Sequence, residues 1–423
     1  MPGLIIAAPA SGSGKTTITL GLLRALHDRG DPVRGAKSGP DYIDPRFHEA
    51  ACGLPCLNLD AWAMPPERIA DLAAGDDLLI IEGAMGLFDG APPDGRGAVA
   101  DLARQLSLPV VLVVDASHMA QSVAPLVAGF AGHDPNVRIN GLILNKVGSP
   151  RHAKMLRAAL APLGIPVLGA VMRNAALATP SRHLGLVQAG ERADLDVFLD
   201  RAGKQLAGQV DLQALLHLSA PLPVAPALKP IPPKRRHVAI ARDVAFAFTY
   251  PHMIRDWIAQ GDTITYFSPL ANEPVPPADL VYLPGGYPEL HAAQLAAAST
   301  FLSSLREASE STDIYGECGG YMALGETLAD ADGVSHKMAG LLSLQTSFET
   351  RKLQLGYREL AATHGSFQGR FRGHEFHYAT TLKADGQPLF EARDAEGHAL
   401  PPMGLREGRV SGSFAHIIER VLP

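Results

Sequence analysis

The chain has 423 residues, more than one hydrophobic core normally serves, so two domains are the first expectation. Hydrophobic residues make up 47%, charged residues 19%, and the net charge is -6, which is typical of a soluble enzyme and gives no reason to expect nucleic acid or an anionic membrane as a partner. The first residues contain no basic region, cleavage site or apolar run that could span a bilayer, so the cytoplasm is the expected location.

The first half of the chain alternates short apolar runs with helical stretches. This alternation predicts an α/β domain, a parallel sheet with helices on both faces, which we place at residues 1–219. The predicted strands are Leu4–Ala8, Leu78–Glu82, Val110–Asp115, Gly141–Asn145 and Val167–Val171. Helices are predicted over Thr17–Arg29, where leucines recur at helical spacing, and over Ser122–Ala131.

A glycine-rich segment, APASGSGKTT, lies between the first strand and the first helix, where backbone N–H groups can face a phosphate chain. Lys15 would reach the β and γ phosphates and the Thr16 hydroxyl would bind Mg²⁺, so ATP and Mg²⁺ are the expected ligands. The strict P-loop pattern has glycine where this chain has Pro9, which indicates a subclass; a simple tight turn is the alternative. The predicted nucleotide-binding residues are Gly12, Ser13, Gly14, Lys15, Thr16, Thr17 and Asn145.

Acidic residues follow in two segments. KSGPDYIDP, residues 37–45, places Asp41 and Asp44 around Tyr42 in a turn-forming context, which fits either a magnesium shell or a solvated surface turn. Glu82 ends a buried strand, and a carboxylate at the carboxyl end of a parallel sheet points into the ligand crevice. We predict Thr16, Asp41 and Glu82 as metal ligands.

Two further polar residues lie in this half of the chain. Asp89, in the glycine-bounded loop after Glu82, is expected to meet substrate rather than metal. Asn145 ends another strand, from which its amide could read the adenine edge; an ordinary polar strand end is the alternative.

A proline-rich segment, residues 220–235, interrupts the pattern, because prolines remove backbone donors and fix φ. We interpret it as a linker. Beyond it a second α/β domain is predicted at residues 236–423. Its predicted elements are strands at His237–Ala241, Thr263–Phe267, Leu280–Leu283 and Asp313–Tyr315, and helices from His252 and from Leu290.

The run YGECGGYM contains one of three cysteines, Cys318, between a strand and a helix. A thiol on such a sharp turn projects from the sheet edge, where the Gly319 N–H and the helix N-terminus can stabilise a thiolate or an oxyanion. Gly286, in the glycine turn LPGGYPEL, could supply another oxyanion donor. His416 is the preferred base; the alternatives are His374 and His377.

The other two cysteines, Cys52 and Cys56, have no second Cys or His pair nearby. Two buried thiols are therefore favoured over half of a zinc site.

Together these motifs resemble, over nearly the whole chain, the cobyrinic or hydrogenobyrinic acid a,c-diamide synthases of vitamin B12 biosynthesis. The resemblance rests on SGSGKTT, KSGPDYIDP, EGAMGLFDG, SRHLGL, PGGYPE, GECGGYM and RGHEFHY, in the family's order. That family joins a dethiobiotin-synthetase-like P-loop ATPase domain to a class I glutamine amidotransferase domain.

The resemblance implies Cys318 as the glutaminase nucleophile and His416 as the group that activates it. It implies that ammonia from glutamine reacts with an acyl phosphate formed from ATP and a carboxylate of the corrinoid, on the a and c acetate groups. Lys37 would assist at the ATP site, and Asp41, Tyr42, Asp44 and Asp89 would form the substrate and metal loops. A homodimer is compatible with this interpretation.

One departure concerns the catalytic triad. Many class I amidotransferases have a Glu two residues beyond the histidine, whereas Ile418 stands there in this chain and Glu419 is expected on the wrong strand face. The residue that orients His416 therefore stays unassigned, and a Cys–His dyad is an alternative.

Other functions stay open from the sequence. The same chemistry could amidate a related tetrapyrrole such as nickel sirohydrochlorin, or serve cobyric acid or CTP synthesis. A different class is a partition-type or metal-delivery P-loop ATPase with an inactive amidotransferase module.

Overall fold

The computed structural model describes residues 2–177, 181–182, 185–186, 188–225, 233–365 and 367–421, with only the backbone at 181–182 and 185–186. The chain divides into two compact units, residues 1–228 and 229–423. The motif SRHLGL, which begins at Ser181, includes residues that lie outside this description, as do residues 226–232 of the proposed linker.

The first unit is built from alternating strands and helices. Its strands are β1 (Pro2–Ala7), β2 (Val33–Ser38), β3 (Leu57–Leu59), β4 (Leu78–Glu82), β5 (Val110–Asp115), β6 (Ile139–Val147), β7 (Val167–Met172), β8 (Ser181–Arg182), β9 (Gly185–Leu186) and β10 (Ala220–Pro221). Its helices are α1 (Lys15–Arg29), α2 (Asp44–Cys52), α3 (Pro66–Ala73), α4 (Val99–Leu106), α5 (Val123–His133), α6 (Pro150–Leu160), α7 (Leu195–Gln209) and α8 (Leu212–Leu218), with 3-10 turns at Ala161–Leu163, Ala175–Leu177 and Ala189–Glu191.

The main sheet of this unit has the order β3-β2-β4-β1-β5-β6-β7, and these strands pair in parallel. Consecutive residues of β1, β4 and β5 are buried, which means that both faces of the sheet are covered. This confirms the predicted α/β class, and β4 and β5 have the predicted bounds. The carboxyl ends of β1, β2 and β4 lie side by side and carry the first candidate site.

The proline-rich segment begins inside the first unit. The short strand β10 pairs antiparallel with the start of β1, Pro2 opposite Pro221 and Gly3 opposite Ala220. Two residues can pair in this way despite the prolines because the ladder is so short. The compact unit therefore extends past residue 219, whereas the exact domain and linker boundaries stay a prediction.

The second unit combines a mostly parallel sheet with one mixed and one antiparallel sheet. Its strands are β11 (His237–Ala241), β12 (Thr263–Phe267), β13 (Leu280–Leu283), β14 (Asp313–Glu317), β15 (Thr327–Ala329), β16 (Ser335–Lys337), β17 (Ser343–Ser347), β18 (Gln354–Ala362), β19 (Gly369–His377), β20 (Thr380–Asp385), β21 (Phe390–Arg393), β22 (Ala399–Met403), β23 (Leu405–Glu407), β24 (Val410–Ser413) and β25 (Ala415–Val421). Its helices are α9 (Pro251–Ala259), α10 (Ala292–Ala297), α11 (Ser299–Ala308) and α12 (Gly319–Leu324), with a 3-10 turn at Pro288–His291.

The central sheet of the second unit has the order β12-β11-β13-β14-β24-β23. Alternate residues of its strands enter two different cores. Ala239, Val281 and Ile314 pack with helices α10, α11 and α12, while Ile240 and Tyr282 pack on the other side, with Trp257 of α9. That second core also contains residues of the antiparallel sheet β22-β21-β18-β19-β25. The chain passes from one sheet to the other between β24 and β25, and His416 is the second residue of β25.

Among the residues that the structure describes, no helix has the length and apolar character needed to cross a membrane.

Candidate active sites of the two units

The glycine-rich loop connects β1 to α1 in the first unit. Gly12 and Gly14 have φ values of 78° and 85°, in the left-handed region that glycine adopts without strain. The Ser13 hydroxyl donates to the Ala10 carbonyl at 2.8 Å and closes the turn. Helix α1 begins at Lys15, so its free N–H groups and the positive end of its dipole lie beside this loop.

A cavity of about 720 Å³ opens at the loop. Its lining combines the loop, the carboxyl ends of β2, β4, β6 and β7, and part of α7. The predicted residues that line it are Gly12, Gly14, Lys15, Thr16, Thr17, Lys37, Asp41, Asp44, Glu82 and Asn145. Lining residues that the sequence did not indicate include Lys146, Arg173, Asn174 and Gln205.

A cluster of charged side chains lies at one side of this cavity. Lys37 Nζ donates to Asp44 Oδ2 at 2.6 Å and to Glu82 Oε1 at 2.8 Å. The Thr16 hydroxyl donates to Glu82 Oε1 at 2.6 Å and lies 3.4 Å from Asp44 Oδ2. These contacts arise because Lys37 and Glu82 are register partners on adjacent strands, with the first turn of α2 beside them.

Burial and charge act against each other in this cluster. Burial alone would lower the pKa of Lys37, but the charges of Asp44 and Glu82 outweigh it and raise that pKa. Burial would likewise raise the pKa of Glu82, but the Lys37 charge and the His48 hydrogen bond hold it well below its usual range. For Asp44, burial and the Asp41 charge prevail over Lys37 and raise the pKa to about 6.

His48 is a part of the cluster that sequence reasoning missed. Its Nε2 lies 2.6 Å from Glu82 Oε2 and its Nδ1 lies 3.3 Å from Cys56 Sγ, and the side chain is buried. A possible signal was available, because His48 follows Asp44 by four residues, which places both on one face of α2. Cys52 and Cys56 are buried and free, as expected.

The structure brings Asp44 close to the residues of the predicted metal set. Asp41 Oδ1 accepts the N–H groups of Ile43 and Asp44 at 2.8 and 3.0 Å, so this oxygen is used to hold the start of α2. Asp44, predicted to meet substrate, is the residue whose carboxylate reaches Thr16. Oxygens of Thr16, Asp44 and Glu82 lie near one another, and they are donors of the kind that Mg²⁺ prefers. The other oxygen of Asp41, Oδ2, lies 3.9 Å from Lys37 Nζ, at the edge of the same cluster.

Lys37 occupies the space between the two carboxylates of this set. In the described part of the chain, no group of three His, Cys, Asp or Glu residues is arranged to hold a metal ion. The metal-ligand roles of Thr16, Asp41 and Glu82 stay predictions.

Lys15 extends across the loop. Its Nζ donates to the Met85 carbonyl at 2.5 Å and to the Ala10 carbonyl at 3.4 Å. Burial and the nearby Lys37 charge lower its pKa. An ammonium held by neutral carbonyls beside a second ammonium is well prepared to bind a phosphate chain.

Two other predicted residues hold loops in place. Asn145 donates from Nδ2 to the Ser13 carbonyl at 2.9 Å and accepts the Lys146 N–H at 2.8 Å, so its amide supports the phosphate loop. Asp89 Oδ2 accepts the Gly86 N–H at 2.8 Å. The adenine-reading role of Asn145 and the substrate roles of Lys37, Asp41, Tyr42, Asp44 and Asp89 stay predictions.

The second site is built around Cys318, between β14 and α12. Its backbone has φ 46° and ψ -100°, a strained conformation for a residue with a side chain. The Cys318 N–H donates to the Ser413 carbonyl at 2.8 Å. The turn after Cys318 is closely packed, because a Cβ on Gly320 would stand 1.9 Å from the Leu283 carbonyl oxygen.

His416 reaches the same place from the start of β25. A Cβ on Gly285 would stand 2.4 Å from His416 Cε1, 3.1 Å from its Nε2 and 3.4 Å from Cys318 Cβ. Cys318 and the imidazole of His416 therefore converge at Gly285. A Cβ on Gly319 would stand 3.1 Å from the Gly286 nitrogen, so the two predicted oxyanion donors, Gly286 and Gly319, are also close together.

The alternative bases have other partners. His377 Nε2 lies 3.0 Å from Glu375 Oε1, and its ring stacks on Phe414. His374 is the register partner of His416, and burial, with the nearby His416, lowers its pKa to about 3. An imidazole with a pKa of about 3 is a weak base, which favours His416 over His374, although the catalytic roles of Cys318 and His416 stay predictions.

The electrostatic environment keeps Cys318 protonated. Burial and the charge of Glu289 raise its pKa, and the hydrogen bond from the Gly319 N–H opposes them in part. The thiolate must therefore form by transfer of the proton to a base during the reaction.

Families of known proteins match both units of the chain. The chain matches the CobQ/CobB/MinD/ParA nucleotide binding domain over residues 4–187 and the CobB/CobQ-like glutamine amidotransferase domain over residues 237–420. A hydrogenobyrinate a,c-diamide synthase of Brucella anthropi is 54% identical over 434 residues, covering 99% of each chain. The chain belongs to the hydrogenobyrinate a,c-diamide synthase family.

Other members of the synthase family are similar to the same degree. The Rhizobium meliloti synthase is 53% identical over 427 residues and covers 99% of each chain. The Rhodobacter capsulatus synthase is 52% identical over 430 residues and covers 98% of each chain. Membership confirms the resemblance predicted from the motifs and identifies a glutamine-dependent amidating ligase with an ATP-binding domain. It leaves no support for an inactive amidotransferase module.

Proposed function

We propose that this chain uses ATP and glutamine to amidate the a and c acetate carboxylates of hydrogenobyrinic acid, in cobalamin biosynthesis. The proposal rests on the match, over 99% of each chain, to a relative named hydrogenobyrinate a,c-diamide synthase. Nickel sirohydrochlorin and cobyrinic acid become competing substrates for the test. The cytoplasmic location stays a prediction.

The glutaminase half of the reaction belongs to the second unit. His416 accepts the Cys318 proton as the sulfur attacks the side-chain amide of glutamine, and the N–H groups of Gly286 and Gly319 stabilise the oxyanion. Collapse of this intermediate forms a thioester and releases ammonia, which takes the proton from His416. Water then hydrolyses the thioester to glutamate. The convergence of Cys318 and His416 at Gly285 supports these roles.

The ligase half belongs to the first unit. A carboxylate of the corrinoid attacks the γ-phosphate of ATP and becomes an acyl phosphate, from which ammonia displaces phosphate to leave an amide. Lys15 and the N–H groups of the loop stabilise the charge on the transferred phosphoryl group. Lys37 fixes Asp44 and Glu82 at the cavity wall.

Mg²⁺ is the expected companion of ATP here. Thr16, with Glu82 and Asp44, would hold it, and the ion would neutralise phosphate charge. The hydrogen bonds from Lys37 to these two carboxylates must then rearrange.

The test is an assay of the purified full chain with glutamine, ATP, MgCl₂ and one acid at a time. We expect hydrogenobyrinic acid to be converted to its diamide, identified by mass spectrometry, with glutamate released in proportion. Cobyrinic acid and nickel sirohydrochlorin are the comparison substrates. Absence of both amidation and glutamate release with hydrogenobyrinic acid would contradict the proposal; faster amidation of a comparison acid would correct the substrate.

A further inference from the structure

Glu317, the residue directly before Cys318, is almost completely buried, with 1% of its side chain exposed. Its Oε2 accepts the Tyr282 hydroxyl at 2.8 Å, and its Oε1 accepts the Ile417 N–H at 3.0 Å. Both oxygens are therefore held, so the carboxylate has one orientation. Tyr282 remains a donor, because burial and the Glu317 charge raise its pKa well above the usual value.

The held carboxylate faces His416. Glu317 Oε2 lies 3.4 Å from His416 Nδ1, and the imidazole is 2% exposed. The other edge of the ring, with Cε1 and Nε2, lies against Gly285, next to Cys318. The imidazole therefore stands between the carboxylate on one side and the thiol on the other.

We propose that Glu317 is the positioning residue for His416 and takes the place of the downstream glutamate of other class I amidotransferases. This assignment deepens the proposed function and rests on it. The carboxylate accepts the Nδ1–H of His416, which leaves Nε2 without a proton and directed at Cys318. A separation of 3.4 Å is long for this bond, but catalytic hydrogen bonds often shorten only when substrate is bound.

The proton transfers balance with Glu317 in this role. The Cys318 proton moves to Nε2 as the bond between sulfur and the glutamine carbon forms, and the same proton leaves with ammonia. Between these steps the imidazole is positively charged, and the Glu317 carboxylate stabilises it without accepting a proton. In the described part of the chain, the Glu317 carboxylate lies within ion-pair distance of His416, so it can stabilise the charge that the imidazole gains.

The residues that follow His416 make other hydrogen bonds. Ile418 stands where the downstream glutamate would be, and its carbonyl accepts a hydrogen bond from His252 Nε2 at 2.9 Å. Glu419 accepts the Arg420 N–H at 3.0 Å. The Ile417 N–H, in contrast, binds Glu317 itself, so one carboxylate fixes both the ring of His416 and the backbone that follows it.

The experiment compares wild type, Glu317→Gln and Tyr282→Phe in the full chain. Glutamine removes the charge at nearly the same shape, whereas Tyr282→Phe removes one hydrogen bond to the same carboxylate and leaves its charge. We expect Glu317→Gln to lower kcat for glutamine hydrolysis about 100-fold or more, with KM for glutamine unchanged. Amidation of hydrogenobyrinic acid with a high concentration of ammonium chloride should be unchanged, and Tyr282→Phe should keep kcat within about tenfold of wild type.

Two results would overturn the assignment. The first is a Glu317→Gln enzyme with wild-type kcat, whether or not its KM for glutamine is raised. The second is an equal loss of kcat in Tyr282→Phe, which would assign the effect to packing. If thermal unfolding shows that Glu317→Gln is not folded, Glu317→Asp takes its place, because the shorter side chain moves the carboxylate away from His416 Nδ1. An unchanged kcat in Glu317→Asp would also contradict the assignment. A wild-type chain without glutaminase activity would instead overturn the proposed function, and the assignment with it.

Discussion

Buried charged groups at the two sites are stabilised in different ways. In the first unit, Lys37 lies within 2.8 Å of oxygens of both Asp44 and Glu82, so a fixed positive charge compensates two carboxylates. In the second unit, the buried Glu317 has neutral donors and the imidazole of His416. The first arrangement fixes two carboxylates at the cavity wall, and the second is suited to gaining and losing one proton.

His374 provides a test of this electrostatic picture through stability. Burial, with His416, lowers its pKa from 6.5 to about 3 in the folded chain, so below pH 6.5 the unfolded chain binds a proton that the folded chain does not. The stability that this histidine contributes is therefore complete above pH 6.5 and is lost as the pH falls toward 3. At pH 5 the loss should be about 2 kcal/mol.

The free energy of unfolding is measured with urea at pH 7 and at pH 5. We expect the decrease between these two pH values to be smaller for His374→Asn than for wild type. The exposed His118, replaced by Asn, is the matched control and should behave like wild type. Equal losses in wild type and His374→Asn would contradict the buried, neutral state of His374.

Single residues were predictable where a local motif defines their setting. Lys15, Thr16 and Cys318 follow from glycine patterns within a few residues, and Glu82 from its place at a strand end. The contact of His416 with Glu317 was not predictable from the sequence. The hydrogen bond that holds these two segments together joins Glu317 to Ile417, 100 positions along the chain. Which of Asp41 and Asp44 faces Thr16 depended on the start of α2, and helix boundaries are weakly determined by sequence.

At the scale of elements, glycines allow strands and loops to approach one another around Cys318. A Cβ on Gly286 would stand 2.1 Å from the Ala245 carbonyl oxygen, and one on Gly285 would enter the space of His416. The glycine turn after β13 and the elbow after β14 can therefore lie side by side. This contact brings the two predicted oxyanion donors, Gly286 and Gly319, close to the imidazole of His416.

Replacing Gly285 by alanine should separate His416 from Cys318. The added Cβ would stand 2.4 Å from His416 Cε1, so the ring must move. We expect glutamine-dependent amidation to fall about 100-fold, because a shift of about 1 Å in a catalytic group has that effect. Amidation with ammonium chloride should be retained. The control is Gly208→Ala, because a Cβ at that position meets no atom within 4 Å. Unchanged glutamine-dependent activity in Gly285→Ala would contradict the convergence of Cys318 and His416.

Elements were predictable in proportion to how continuously they are buried. Strands β4, β5, β11, β12 and β13 have the predicted bounds. Most are apolar runs inside parallel sheets, although β12 is only partly buried. The antiparallel strands from β15 to β25 were largely missed: β18 and β20, for example, are only partly buried and mix polar with apolar residues. Their register places His374 and His416 opposite each other, a relation without a local signal in the sequence.

At the scale of the whole molecule, the two units carry complementary halves of one reaction. The phosphate loop and its carboxylates lie in residues 1–228, and the thiol, the imidazole and Glu317 lie in residues 229–423. Because the glutaminase half only supplies ammonia, added ammonia should replace it. Added ammonia cannot replace the formation of an acyl phosphate.

This asymmetry gives a prediction with two variants. Cys318→Ala should abolish glutamine-dependent amidation and glutamate release, yet retain amidation with ammonium chloride, since the first unit is unaltered. Lys15→Ala should stop amidation with either nitrogen source, because its ammonium, now held by the carbonyls of Met85 and Ala10, no longer stabilises the transferred phosphoryl group. Diamide formation measured by mass spectrometry checks both variants, and thermal unfolding confirms that each is folded. Loss of ammonia-dependent activity in Cys318→Ala, or its retention in Lys15→Ala, would contradict this division of labour.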